Sequence, residues 1–209
     1  MATRLLPVDP EAPSEDALSE GVRALRAGGI VAVPTETFYG LAADPFLPGT
    51  LAAVNRLKEK DATSPILLLL ADLAQAAPLM AHTPRAFPSL AALWPAPLTL
   101  VVPASAAVPP EISGGQGTVG IRVPGLALPR LLAQRLGHAI TGVSANRTGK
   151  PAPTCAADVL AAFPEGLALV LDGGATAGAA PSTLVDLTAE PPRLLREGAL
   201  PWAALRDRL

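Results

Sequence analysis

Apolar residues recur at helical spacing over residues 14–27, where Leu18, Val22 and Leu25 share one face. Glu15 and Asp16 favour the positive end of that helix, and Gly28 and Gly29 stop it. The β-branched run IVAV (30–33) predicts a strand ended by Pro34, so the polar segment TETFYG sits at a strand end. A second helix is expected over 50–60 from Leu51, Val54 and Leu57. The unbroken apolar run ILLLL (66–70) then reads as a strand covered on both faces. Two proline-punctuated helical stretches follow, around 73–80 and 84–94.

From there strands and helices alternate. LTLVV (98–102), TVGIRV (118–123), AITGVSA (139–145), LALVLD (167–172) and STLVDL (182–187) read as strands, while 126–136 and 156–163 read as helices. PRLLRE and a short C-terminal helix complete the chain. The last strands lack intervening helices, which predicts a mixed α/β domain with both parallel and antiparallel pairs.

Composition narrows the function. In 209 residues, half are hydrophobic but only 3% are aromatic and 16% charged, so the core must be aliphatic and rich in alanine. The 24 prolines and 18 glycines stay below the ~25–30% combined share of low-complexity chains. No apolar run approaches the ~18–20 residues of a spanning helix, and the N-terminal residues soon turn acidic, so the expectation is a cytoplasmic protein without a membrane partner. A net charge of −2 gives no global attraction for nucleic acid. Cys155 is the single cysteine, and His82 and His138 are far apart, which leaves a zinc site or a Ser-His-Asp triad little to build on.

Two nucleotide motifs fail on context. Gly115, Gly117 and Gly120 spell GxGxxG, but a Pro-Pro loop precedes them and a strand follows, the reverse of what a dinucleotide fold needs. Gly149-Lys150 ends like a Walker A loop, yet Pro151 stands where Ser or Thr is required. What remains is a set of polar, small-residue clusters at strand ends: PTETFYG, KEKDATSP, TVGIRVP, SANRTGKP and PSTLVD, followed by Arg196. With Lys58, Lys60, Arg122 and Lys150 they offer hydroxyls, amides and cations suited to phosphate or carboxylate. Singly, each has an ordinary reading as a helix-end charge, a turn cap or a surface pair.

Together, PTETFYGL, KEK with SPILLLL, PAPLT, GIRVP, VSANRTGKPAPT, DGG, PSTLVD and LREG stand in order over about residues 27–198, and that order resembles the YrdC/Sua5 family of threonylcarbamoyl-AMP synthases. The resemblance implies a twisted mixed sheet with flanking helices around an open concave site. It implies one YrdC-like domain with its core over about 14–200, without the additional C-terminal Sua5 domain. It further implies that L-threonine, bicarbonate and ATP give threonylcarbamoyl-AMP and pyrophosphate, with Mg²⁺ accompanying ATP and no direct protein ligation of metal. A tRNA-threonylcarbamoyl transferase complex then uses the product at adenosine 37 of tRNA.

Carried over by the resemblance, Lys58 and Lys60 offset charge at the phosphates. Arg122 holds the threonine carboxylate, with Thr35, Thr37, the Gly142 backbone and Ser182 around the amino acid. Lys60, Ser64, Thr118, Ser144, Asn146 and Arg196 line the ATP side. Lys60, Ser64, Leu69, Ala96 and Ala152 depart from the family pattern; Lys60 and Leu69 keep open a YciO-type paralogue with another substrate, and the concave basic surface that the resemblance implies keeps open an RNA-binding or ribosome-assembly module with weak RNA binding.

Overall fold

The computed structural model describes residues 3–61 and 64–209; residues 62 and 63, in the expected DATSP loop, lie outside it. The first half of the chain runs β1 (Arg4–Pro7), α1 (Glu15–Arg26), β2 (Val31–Pro34), β3 (Tyr39–Ala42), α2 (Thr50–Lys58), β4 (Leu68–Leu69), a 3₁₀ helix (Leu73–Leu79), α3 (Phe87–Ala91) and β5 (Leu98–Pro103). The second half adds α4 (Pro110–Ser113), β6 (Thr118–Arg122), α5 (Ala127–Leu136), β7 (Ile140–Thr141), β8 (Val143–Ser144), α6 (Ala156–Ala162), β9 (Leu169–Asp172), β10 (Thr183–Asp186), β11 (Arg193–Arg196) and α7 (Trp202–Arg206).

These strands form two mixed sheets, ordered β1-β9-β2-β3-β8 and β11-β10-β5-β6-β4-β7. In the first sheet both faces are covered. Val31 and Val33 join Leu18, Val22 and Leu25 of α1 and Leu128 and Leu132 of α5 in one core, while Ile30 and Ala32 turn to the other core. Helix α1 forms as its sequence dictates: the Ser14 hydroxyl accepts from the Ala17 N–H at 3.3 Å, and acidic residues occupy the first turn.

In the second sheet, β5 and β6 send one face to the larger core. Leu98, Leu100 and Val102 of β5 and Val119, Ile121 and Val123 along β6 are almost wholly buried in the larger core. Their neighbours Thr99, Val101, Thr118, Gly120 and Arg122 line a cavity instead. The strand period of two therefore sends one row of side chains to the core and the other to a prospective ligand.

Three expectations change. The segment 139–145 is not one strand: Ile140 and Thr141 pair with β4 in the second sheet, while Val143 and Ser144 pair with β3 in the first. Gly142 is the joint, and Thr141 fastens it by donating through its hydroxyl to Leu41 O at 2.8 Å and through its N–H to Ala43 O at 3.0 Å. The ILLLL run supplies only a two-residue strand, and at its start the Ile66 N–H donates to Ile112 O of α4 instead of to the sheet. Strands β1 and β3 arise where a proline-rich start and a site loop are expected; both are four residues long and are defined by their partners β9 and β2.

Close packing at the joint makes a testable demand. A Cβ added at Gly142 lies 2.8 Å from Leu69 Cδ2, and Leu69 is itself fully buried. Gly142→Ala should destabilise the fold by about 1–3 kcal/mol, read by urea unfolding. Adding Leu69→Ala should cost less in the Gly142→Ala background than in the native chain; additive costs would show that the two residues do not compete for this space.

Candidate functional site

One open cavity of about 440 Å³ lies between the ends of β2 and β3, the C-terminal turn of α2, the face of β5, β6 and β10, and the joint at Gly142. It is lined by Thr35, Thr37, Lys58, Lys60, Thr118, Arg122, Gly142, Ser144, Ser182 and Arg196. Residues distant in sequence thus meet because strand ends from both sheets converge there. Ser64 and Asn146 stand outside this lining. Ser64 sits in the turn before Pro65, where its N–H donates to Asp61 O at 3.1 Å, and the Asn146 amide donates to Arg147 O at 2.9 Å and Lys150 O at 2.6 Å.

At one end, Arg122 leaves β6 with its side chain only 4% exposed. Its Nη2 lies 2.5 Å from Glu36 Oε1. Both groups are nevertheless without an aligned hydrogen bond at these atoms, so the contact is an ion pair made off the N–H axis. Above it, the Thr35 hydroxyl donates to Phe38 O at 2.7 Å and lies 2.9 Å from the Thr37 hydroxyl. The Thr35 oxygen also accepts from the Thr37 N–H at 3.2 Å and the Phe38 N–H at 3.3 Å, so it is committed within its own bend. Ser182 and Thr99 share a 2.8 Å hydroxyl contact across β10 and β5. Arg196 caps Ser182 by donating from Nη2 to its carbonyl at 2.9 Å. Burial first, and then the charge of Arg122, lower the pKa of Arg196.

At the other end, Lys58 is buried and donates to Ser144 O and, at 2.6 Å, to Asn146 O. Thr148 returns two bonds to Lys58 O, each 3.0 Å, so α2 and the SANRTG loop are locked together. Burial first, and then the neighbouring Lys60 charge, bring the Lys58 pKa down to about 8 from 10.5. Lys60 donates to Pro65 O at 3.2 Å, and burial lowers its pKa as well.

Several participants escaped the motif reading. Thr99, Gln116, Leu184 and Leu195 line the cavity, and Glu36 stands behind Arg122. Thr99 was recoverable from the alternation in LTLVV; Leu195 was not, since only the pairing of β11 with β10 brings it there. Tyr39, fully buried, donates to Gly174 O at 2.8 Å and accepts from the Gly173 N–H at 3.2 Å. Burial and nearby Asp172 push its pKa up to about 12, so it remains a donor that holds the DGG turn. Gly115, Gly117 and Gly120 follow α4 and run into β6, which confirms that their spacing is no dinucleotide motif.

Among the described residues, no three His, Cys, Asp or Glu side chains are grouped to hold a metal ion, and no helix is long and apolar enough to cross a membrane. The cavity instead offers cations, hydroxyls and main-chain groups.

Comparison with known proteins agrees with this architecture. A Threonylcarbamoyl-AMP synthase of Pyrococcus abyssi is 39% identical over 178 residues, covering 85% of this chain and 52% of that protein, so the chain spans about half the length of that relative. One of Chromohalobacter salexigens is 37% identical over 173 residues, covering 82% of this chain and 93% of its own. The crystal structure of P. abyssi Sua5 complexed with L-threonine superposes with a TM-score of 0.94 at 35% identity, over 99% of this chain and 61% of that one. Escherichia coli YciO, at 22% identity and a TM-score of 0.87, shares the fold. The family model described as "Telomere recombination", Sua5/YciO/YrdC, matches residues 23–198. With that match over most of its length, the chain belongs to the Sua5/YciO/YrdC family.

Proposed function

We propose that this protein is an L-threonylcarbamoyladenylate synthase, a nucleotidyltransferase that forms threonylcarbamoyl-AMP and pyrophosphate from L-threonine, bicarbonate and ATP. The observation that carries the reading is a single cavity with a buried arginine among hydroxyls at one end and two depressed-pKa lysines at the other. That arrangement matches an amino acid joined to a nucleotide. The relatives named for this activity support it, as does the threonine complex of P. abyssi Sua5.

The chemistry begins with the threonine amine and bicarbonate, which give a carbamate and water. A carbamate oxygen then attacks the α-phosphorus, forming a mixed anhydride; the bond to the β-phosphate breaks and pyrophosphate leaves with the electron pair. Nucleophile and target are both anionic, so the protein's task is to position them and offset charge. In this reading Arg122 takes the threonine carboxylate, with Thr37, Ser182 and the Gly142 backbone around the amino acid. Lys60, Thr118, Ser144 and Arg196 face the nucleotide, and Lys58 supports the loop beneath it while adding positive potential.

Mg²⁺ would arrive on the triphosphate, because the cavity's donor set suits phosphate oxygens rather than direct ligation of a divalent ion. The product would pass to a tRNA-threonylcarbamoyl transferase complex in the cytoplasm for t6A37 modification. Incubation with ATP, L-threonine and bicarbonate should release pyrophosphate only when all three are present. Equal release without threonine would defeat this reading and favour a YciO-type paralogue, for which Leu69 in the cavity wall is the relevant feature. Salt-sensitive RNA retention without threonine-stimulated turnover would favour the RNA-binding alternative.

A further inference from the structure

Glu36 lies between two threonines that line the cavity but does not line it itself. Glu36 sits in the bend between β2 and β3, and its side chain packs against Gly125, where a Cβ would come within 3.2 Å of its carboxylate carbon. From that side it meets the buried Arg122 guanidinium. Both Glu36 oxygens, and Arg122 Nε and Nη2, are buried without an aligned hydrogen-bond partner. A buried ion pair held in this way is expensive to desolvate, so as a stabilising device it is poor. It does restrict the guanidinium, which has several rotamers, to one that keeps it in the cavity wall.

Resting on the reading that Arg122 receives the substrate carboxylate, we propose that Glu36 is a positioning residue: it aims Arg122 from behind and so sets the affinity for the amino acid, not for the nucleotide. Gly125 belongs to the same device, because it leaves room for the Glu36 side chain. Two effects of removing Glu36 can be separated. Uncovering the Arg122 charge strengthens attraction for any anion in the cavity, moving threonine and ATP together. Losing the aim acts on the group that Arg122 binds, which is threonine alone.

The test is steady-state kinetics of Glu36→Gln and Glu36→Ala, alone and combined with Arg122→Ala, with circular dichroism to verify folding. In either single variant the threonine KM should rise about tenfold, with kcat and the ATP KM within about threefold of the native enzyme. Glu36→Asp, which keeps the charge on a shorter stem, should recover part of the loss. In the Arg122→Ala background, Glu36→Ala should add less than twofold, since nothing is left to aim. An unchanged threonine KM, an equal rise in both KM values, or multiplicative effects in the double variant would each overturn the proposal. A native protein without threonine-dependent turnover would instead strike the functional reading beneath it. If Glu36→Ala does not fold, the isosteric Glu36→Gln variant carries the comparison.

Discussion

Arg122→Ala should raise the threonine KM about a hundredfold while the ATP KM moves by less than about threefold. Removing one partner of a buried, charge-assisted contact costs on the order of 2–5 kcal/mol, and about 1.4 kcal/mol corresponds to tenfold. Arg122 qualifies because it is buried and lines the cavity beside Thr35 and Thr37, on the strand face that carries no core residues. Arg122→Lys keeps the charge but loses the planar fork, so it should restore only part of the affinity. Isothermal titration and initial-rate kinetics give the two affinities separately. Equal losses for threonine and ATP would place Arg122 at the phosphates instead.

The second large effect concerns Lys58. Lys58→Ala should lower kcat by a factor on the order of 10²–10³, the scale expected when a preorganised charge is removed from a developing anion. Its carbonyl partners Ser144 and Asn146 also lose their donor, so the SANRTG loop should become more open to hydrogen exchange.

With its pKa near 8, Lys58 is charged below that pH and loses its proton above it. Accordingly, kcat/KM for ATP in the native protein should fall as pH rises through about 8. Stability should respond in the opposite sense. Between about pH 8 and 10.5 the unfolded chain binds the Lys58 proton more tightly than the folded one, so this group's contribution to stability rises with pH across that window. Below pH 8 both states are protonated and the full cost of burying the ammonium is present. Urea unfolding of the native protein and Lys58→Met over pH 7–10.5 should therefore give curves of different slope; parallel curves would refute the assignment.

Local pattern carried much of the fold. The helical periods of α1 and α5 and the short apolar runs of β5 and β6 are short-range properties, and each element is found where its residues predict it. The failures share a cause. Strands β1 and β3 are short, and β7 and β8 are two residues each, so their identity depends on a partner far along the chain. Periodicity alone could not show that Gly142 moves the chain from one sheet to the other.

The cavity was legible in the same graded way. Residues embedded in ordered motifs, such as Thr35, Arg122 and Ser182, line it. Asn146 belongs to an equally distinctive motif, yet its amide is used to shape its own loop. Glu36 was visible in PTETFYG, but its meaning depends on which way a buried side chain turns, and that is a tertiary property.

The division of β5 and β6 into a core row and a cavity row has a practical consequence for redesign. Leu98, Leu100, Val119 and Ile121 hold the sheet to the rest of the molecule, whereas Thr99, Val101 and Thr118 face the cavity. A combinatorial library confined to those last three positions would alter substrate choice while leaving the foundations of the fold intact, so variants from it should differ in selectivity far more than in yield.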